Sequence, residues 1–203
     1  GRAGLHFTED AERIWATAGQ RGLVSFRWDG TDEKAHVRVT GAAQPGSTNR
    51  PFASAIYRAP QGDQALAQIG MQLYVVTIPM VGGETPEISV GDPDKASFPA
   101  SKLTDIGGEF PHWSADGGNV HWSLGNAHFV YDLARAKAVA DSLEVLAEAE
   151  AEAEEEEEQA AEGEEEAENE EEDEGYRADE HRIEVTYARD IPDGVAVLRG
   201  GRA

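Results

Sequence analysis

Short apolar runs separated by polar turns make up most of the chain outside one acidic segment. Most of these runs end at Gly, Asp, Asn or Pro, the residues that favour turns. Apolar and polar positions alternate within many of them, as in residues 35–40, and this period is typical of strands with one buried face. Residues 72–78, QLYVVTI, are apolar on both faces, which predicts a strand between other strands. The pattern therefore predicts an all-β fold.

The runs recur in three similar groups. Phe7, Tyr57 and Trp113 each end a first strand and precede a turn, at separations of 50 and 56 residues. Periods of about 40–50 residues with four strands each are typical of β-propeller blades. We predict a partial β-propeller of about three four-stranded blades, with a generic antiparallel sandwich as the alternative. Because propellers need at least about four blades, the remaining blades are expected before Gly1.

The predicted strands follow from the alternation and from the turn residues that bound it. In the first group they are residues 5–7, 13–17, 23–28 and 35–40; in the second 55–57, 65–69, 72–78, 87–90 and 102–104; in the third 110–113, 119–123 and 127–133. Within the second group, residues 81–84 predict a hairpin turn that joins the strand at 72–78 to the one at 87–90.

The third group lacks a fourth strand where one is expected, and a helix is predicted there. Val139, Leu143 and Leu146 lie at i, i+4 and i+7, which gives one apolar stripe over residues 133–147. Residues 182–187 alternate again and are expected to close the last blade. The predicted organisation is blades at 1–133, a helical or disordered acidic insertion at 134–181, and a closing strand at 182–187.

Acidic residues are concentrated in that insertion. Residues 144–174 hold 19 Asp or Glu and no Lys or Arg, so the net charge of −23 becomes −4 without them. Clustered glutamates repel each other, so we expect a frayed or disordered solvating spacer. Loose cation binding, or mimicry of nucleic acid for a basic partner, are the alternatives. The rest of the chain has no basic patch for nucleic acid, no cysteine for disulfides, and no apolar run of about 20 residues for a membrane helix.

No catalytic, cofactor-binding or metal-binding residue is predicted in this chain. None of the six histidines forms an H-x-H or H-E-x-x-H motif. His121 and His128 fall on successive predicted strands and would be the first ligands to test, although two ligands are fewer than a metal site needs. Asp10 and Asp116 lie in the repeated turns, where an Asx turn is favoured over a calcium or substrate ligand.

Tryptophan offers a further candidate chemistry, the stacking of a ligand. Trp15, Trp28, Trp113 and Trp122 are the four tryptophans. We expect Trp113 and Trp122 to fill the core between blades, because propellers often repeat one aromatic residue per blade. No serine lies in a G-x-S-x-G motif.

Five strings of residues resemble known families. FPHWSADG at residues 110–117 is similar to the W-S-x-D-G turn of TolB-like β-propeller repeats. Together with GGEFP at 107–111, WSLGN at 122–126 and YDL at 131–133, it resembles the last blade of the propeller that precedes the catalytic domain in certain bacterial amidohydrolases. VAVLRGGR at 195–202 resembles the first strand of the small β-domain that opens amidohydrolases, with Gly201 where Ala is usual.

The resemblance implies a non-catalytic propeller segment of a metal-dependent hydrolase that acts on C–N bonds of amide or peptide-like substrates. Residues 188–203 would then be a linker and the first strand of a truncated catalytic domain, whose metal-binding residues lie beyond Ala203. The full-length protein would use zinc or another divalent metal, and the segment's partner would be the catalytic domain of the same chain. A periplasmic or secreted location is implied. The alternatives are a stand-alone TolB-like propeller that binds protein and an acidic interaction protein.

Overall fold

The computed structural model describes residues 2–44, 46, 48–80, 82–158 and 175–184, with the backbone alone for residues 148–158. Thirteen strands and one long helix lie within these ranges. The strands are β1 (Ala3–His6), β2 (Arg13–Thr17), β3 (Leu23–Arg27), β4 (Lys34–Thr40), β5 (Ala55–Arg58), β6 (Gln64–Ile69), β7 (Gln72–Thr77), β8 (Glu87–Ser89), β9 (Ala100–Lys102), β10 (Glu109–Trp113), β11 (Asn119–Leu124), β12 (Ala127–Asp132) and β13 (Asp179–Arg182). The helix, α1, is Leu133–Glu158.

The strands form three sheets that follow one another along the chain. Their orders are β1-β2-β3-β4-β8, β5-β6-β7-β9 and β10-β11-β12-β13, and every pair is antiparallel except β4 with β8. The predicted all-β fold is therefore confirmed. Within the described ranges, no helix has the length and apolar character that crossing a bilayer requires.

The second sheet is packed on both of its faces. One face contributes Ile56 and Val76 to a core shared with the first sheet, and the other contributes Leu66 and Leu73 to a core shared with the third sheet. The prediction that residues 72–78 form a strand between other strands is confirmed, because β7 pairs with β6 on one side and β9 on the other. The sheets therefore stack face to face in chain order.

The predicted hairpin around residues 81–84 is wrong. Strand β8 does not pair with β7, whose second edge is occupied by β9; it pairs in parallel with β4 of the first sheet. The backbone N–H of Val90 continues this pairing by donating to the carbonyl of Thr40 at 2.8 Å. Ile88 and Val90 are fully buried in the core between the first two sheets. Local turn residues do not determine which sheet edge a following strand joins, and here burial of two apolar side chains decides it.

Helix α1 begins directly after β12. One carboxylate oxygen of Asp132 accepts hydrogen bonds from the backbone N–H groups of Ala134 and Arg135, which caps the first turn. The first turns of the helix lie against the core between the second and third sheets. Beyond residue 147 the helix continues to Glu158 through a run of Ala and Glu, both strong helix formers. Residues 159–174 lie outside the described residues.

The fourth strand of the third sheet comes earlier than predicted. Residues 182–187 were expected, whereas β13 is Asp179–Arg182 and lies opposite β12. Its sequence DEHR is exposed along its whole length, so no apolar alternation indicates it. Tyr176 and Ala178 precede β13 and pack against the core between the second and third sheets, which brings the chain back to the third sheet. Residues 185–187 and the predicted linker and strand at 188–203 lie outside the described residues.

Candidate functional site

A cavity of about 720 Å³ opens where the first and second sheets meet. Trp15 of β2, His36 of β4 and Arg58 of β5 form its inner wall, and Met80 and Pro86 lie at its rim. The two sheets supply the inner wall, so strand packing fixes these side chains. The cavity is in the size range of small-molecule and peptide side-chain pockets.

Trp15 is held between two charged or polar groups and is itself 2% exposed. The Arg58 guanidinium carbon lies 4.4 Å from the centre of the indole ring, and the centre of the His36 ring also lies 4.4 Å away. The buried Trp15 Nε1–H and Arg58 Nε–H have no hydrogen-bond partner in the described part of the chain. A buried donor without an acceptor costs about 1–3 kcal/mol, so each of these two groups would be stabilised by an acceptor oxygen brought within reach.

His36 is uncharged in this wall. Arg13 Nε donates to Ser25 Oγ at 2.9 Å, and the Ser25 hydroxyl is hydrogen-bonded to His36 Nε2 at 2.7 Å. Burial, with the positive charges of Arg58 and Arg13, lowers the pKa of His36 to about 4. His36 is therefore a neutral imidazole at pH 7.

The charge of Arg58 is already partly balanced. Burial lowers the pKa of Arg58, while the carboxylates of Asp10 and Asp63 oppose that shift. Asp63 and Glu84 also line the cavity. Donors without acceptors in a wall of mixed charge suit an uncharged carbonyl, such as a peptide or amide group, better than a free carboxylate.

A second cavity of about 690 Å³ lies beside the third sheet and the start of α1. Its lining is rich in aromatic side chains, which are Trp122, Phe129, Tyr131 and Tyr176. The buried Tyr176 hydroxyl has no hydrogen-bond partner among the described residues. The Tyr176 ring makes an edge contact with Tyr131, at 4.9 Å between ring centres, and Lys102, Asp105 and Glu180 give the same cavity a charged side.

Four histidines form a row across the third sheet, one on each strand. His112 of β10 lies opposite His121 of β11, and His128 of β12 lies opposite His181 of β13. The His121 and His128 rings are diagonal neighbours, with their centres 5.3 Å apart and His121 Nδ1 at 3.2 Å from His128 Nε2. The expected proximity of His121 and His128 is confirmed, whereas His112 and His181 were missed because only the register reveals them.

This histidine row lies on the face opposite the core. Val120 and Trp122, which alternate with His121 on β11, are buried against the second sheet. Burial, then the neighbouring His112 and His128, lower the pKa of His121. No group of three or more His, Cys, Asp or Glu side chains is placed to hold a metal ion in the parts of the chain described.

The two turn aspartates form Asx turns. Asp10 Oδ1 accepts from the backbone N–H of Glu12 at 3.0 Å, and Asp116 Oδ1 accepts from that of Gly118 at 3.0 Å. A hydrogen bond from the Ser114 hydroxyl, with that backbone bond, lowers the pKa of Asp116. The turn interpretation is therefore confirmed for both residues.

The tryptophans divide between core, cavity and surface. Trp122 is buried and Trp113 half-buried in the core between the second and third sheets, as predicted, and Trp113 Nε1 donates to the carbonyl of Tyr57 at 2.9 Å. Trp28 is exposed, stacks on Phe7 and donates to the Ala11 carbonyl. Trp15 alone combines burial, an unpaired donor and a cavity.

Comparison of the chain with protein-family models, with curated proteins and with solved structures finds no match. A fold class by itself does not specify a function.

Proposed function

We propose that this chain is a non-catalytic β-propeller segment of an amidohydrolase-type, metal-dependent hydrolase that acts on C–N bonds of amide or peptide-like substrates. The observation that supports the propeller is the face-to-face stacking, in chain order, of three sheets that each contain four antiparallel strands. Consecutive blades of a propeller have this arrangement, whereas a two-sheet sandwich does not place one sheet between two others.

The assignment to an amidohydrolase rests on the strings at residues 107–133 and 195–202. Their order along the chain, last blade and then opening strand of the catalytic domain, supports a propeller that precedes the catalytic domain. In this arrangement the metal that activates water belongs to the downstream domain. The segment's role is to position that domain and to shape access to it.

The cavity between the first and second sheets gives the segment a chemical role in that protein. Its unpaired donors, Trp15 Nε1–H and Arg58 Nε–H, match the carbonyl oxygens of a peptide-like substrate. We infer that the propeller holds part of such a substrate before hydrolysis.

The test compares this chain with the protein encoded by its complete reading frame. We expect the longer protein to retain about one or two equivalents of divalent metal after dialysis and to hydrolyse amides in a substrate screen. This chain alone should do neither. Hydrolysis by this chain alone, or a complete reading frame without a metal-binding H-x-H motif downstream of Ala203, would refute the proposal.

A stand-alone TolB-like propeller that binds protein is the second candidate, and the same cavity favours it. In that case peptides bind without any hydrolytic activity in the complete protein. The indole N–H resonance of Trp15 reports binding directly in NMR spectra. Arg58→Met should weaken peptide binding, while the exposed Arg50→Met serves as the matched control.

A further inference from the structure

The geometry of the histidine row points to a second kind of site, away from the cavities. His121 and His128 belong to adjacent strands that pair over six successive positions and are joined by the short turn at residues 125–126. Such a hairpin holds two side chains on one face at a fixed separation. Both rings are half-buried, so packing limits their rotation.

The separation of the two nitrogens is the central observation. His121 Nδ1 lies 3.2 Å from His128 Nε2. Zinc–nitrogen bonds of about 2.0–2.1 Å in a tetrahedron put two ligating nitrogens about 3.3–3.4 Å apart, and a square-planar ion with similar bonds puts them about 2.8 Å apart. The observed distance lies between these values. The spacing of the two nitrogens therefore fits two ligands of one ion.

We propose that His121 and His128 bind one divalent transition-metal ion of the Zn²⁺, Ni²⁺ and Cu²⁺ class on the outer face of the third sheet. Without the metal, one proton lies between the two nitrogens as a hydrogen bond. The metal replaces that proton, which moves to the far nitrogen of the same ring, so both imidazoles bind as neutral ligands. Imidazole nitrogens select this class of metals over Mg²⁺ and Ca²⁺, which prefer oxygen ligands.

The rest of the coordination sphere stays open. The His112 ring lies next to His121, with their centres 5.1 Å apart and the planes inclined by 13°, so it borders the site as a parallel ring. With two protein ligands, the ion keeps positions for water or for a group from another molecule. Such a site exchanges its metal readily. It is therefore different from the tightly held catalytic metal of the proposed downstream domain, and it does not depend on that proposal.

The acidic segment is the main competitor of the histidine pair for cations. Cation binding by its carboxylates can be distinguished from binding by the two imidazoles. Residues 144–174 offer carboxylate oxygens, which bind divalent cations loosely. Mg²⁺ prefers such oxygen ligands and therefore competes with Zn²⁺ for them. Excess Mg²⁺ therefore saturates the carboxylates and leaves the imidazole pair free.

The experiment is a titration of the full chain with ZnCl₂ in excess Mg²⁺, followed by long-range ¹H–¹⁵N NMR of the histidine rings. We expect one equivalent of Zn²⁺ to shift His121 Nδ1 and His128 Nε2 and to leave His6 and His36 unchanged. His121→Gln and His128→Gln should each weaken Zn²⁺ binding by more than about tenfold, since each removes one of two ligands. His181→Gln, on the same face of the next strand, is the matched control and should retain the affinity.

The result is decided by which nitrogens respond. Shifts confined to carboxylates, no saturable shift at His121 and His128, or equal weakening by His181→Gln would overturn the assignment. The NMR titration of the unaltered chain does not depend on whether the variants fold, and circular dichroism establishes that they do.

Discussion

Thr17 and Ile56 exchange two hydrogen bonds across the interface between the first and second sheets. The Thr17 hydroxyl accepts from the backbone N–H of Ile56 at 2.7 Å and donates to its carbonyl at 3.1 Å. Both residues are buried. Strand β5 lies at the edge of the second sheet, so the N–H and the carbonyl of Ile56 have no neighbouring strand to pair with. The Thr17 hydroxyl forms a hydrogen bond with each of them instead.

Thr17→Val should destabilise the fold by about 2–4 kcal/mol, although it conserves shape, because it leaves a buried N–H and a buried carbonyl unpaired. Urea unfolding measures the loss. Thr77→Val is the control, since Thr77 is half-buried in β7. A loss no larger than in the control would contradict the role given to the Thr17 hydroxyl.

Acid should weaken the fold through buried histidines. His6 Nε2 accepts from the backbone N–H of Arg58 at 2.8 Å, and its Nδ1 donates to the Gly4 carbonyl at 2.7 Å, so the ring is neutral in the fold. Burial lowers the pKa of His6, and burial lowers the pKa of His36 to about 4. In the unfolded chain both return to about 6.5. The unfolded state therefore binds more protons, and stability falls with pH from about 6.5 towards 4.

Between pH 7.5 and 5.5, we expect the free energy of unfolding, measured by urea unfolding, to fall, because both histidines gain protons only in the unfolded chain. This pH range lies above the usual pKa values of Asp and Glu side chains, so those carboxylates stay ionised throughout. His36→Gln should show a smaller loss over the same range. A variant that keeps the full pH dependence would exclude His36 as a contributor.

Replacement by Ala should destabilise the fold to very different extents at two glycines near the β2–β3 turn. Gly22 has φ of +72°, and a Cβ there would lie 2.1 Å from the carbonyl oxygen of Val37 in β4. Gly19 has φ of +57° with nothing within 4 Å. Gly19→Ala should cost about 1 kcal/mol for the left-handed backbone alone, whereas Gly22→Ala should cost at least about 3 kcal/mol because β4 must move. Equal melting temperatures would contradict the close approach of Gly22 to β4.

Replacing residues 147–173 by a short Gly/Ser linker should change the melting temperature only slightly. Val145 and Leu146 at the preceding turn of α1 are exposed, and surface insertions add little loop entropy. Tyr176→Ala is the contrasting change and should cost about 2–4 kcal/mol, because Tyr176 packs against the core and against Tyr131. A large loss with the linker would mean that the replaced residues pack against the sheets.

Most strand positions could be predicted because their signals are local. Residues 13–17 were predicted with the bounds that β2 has, and β7 was placed between two strands from its two apolar faces. Alternation and turn residues act over a few positions, so the sequence carries them directly.

The features that remained hidden depend on pairing between distant residues. Nothing in residues 87–89 indicates a partner in the first sheet rather than in their own, and the polar β13 carries no apolar alternation. Predicting the histidine row requires the registers of three strand pairs. Predicting the unpaired donors at the cavity requires the packing of two sheets. A single sequence does not contain these relations as local patterns.

The parallel pairing of β8 with β4 also affects how the chain folds as it leaves the ribosome. Roughly 50 residues separate the two strands, which at about 5–20 residues per second delays their pairing by several seconds. During that time the β4 edge is open to other nascent chains. The first two sheets therefore form one cotranslational folding unit, and a ribosome that stalls between residues 40 and 87 would leave an aggregation-prone intermediate.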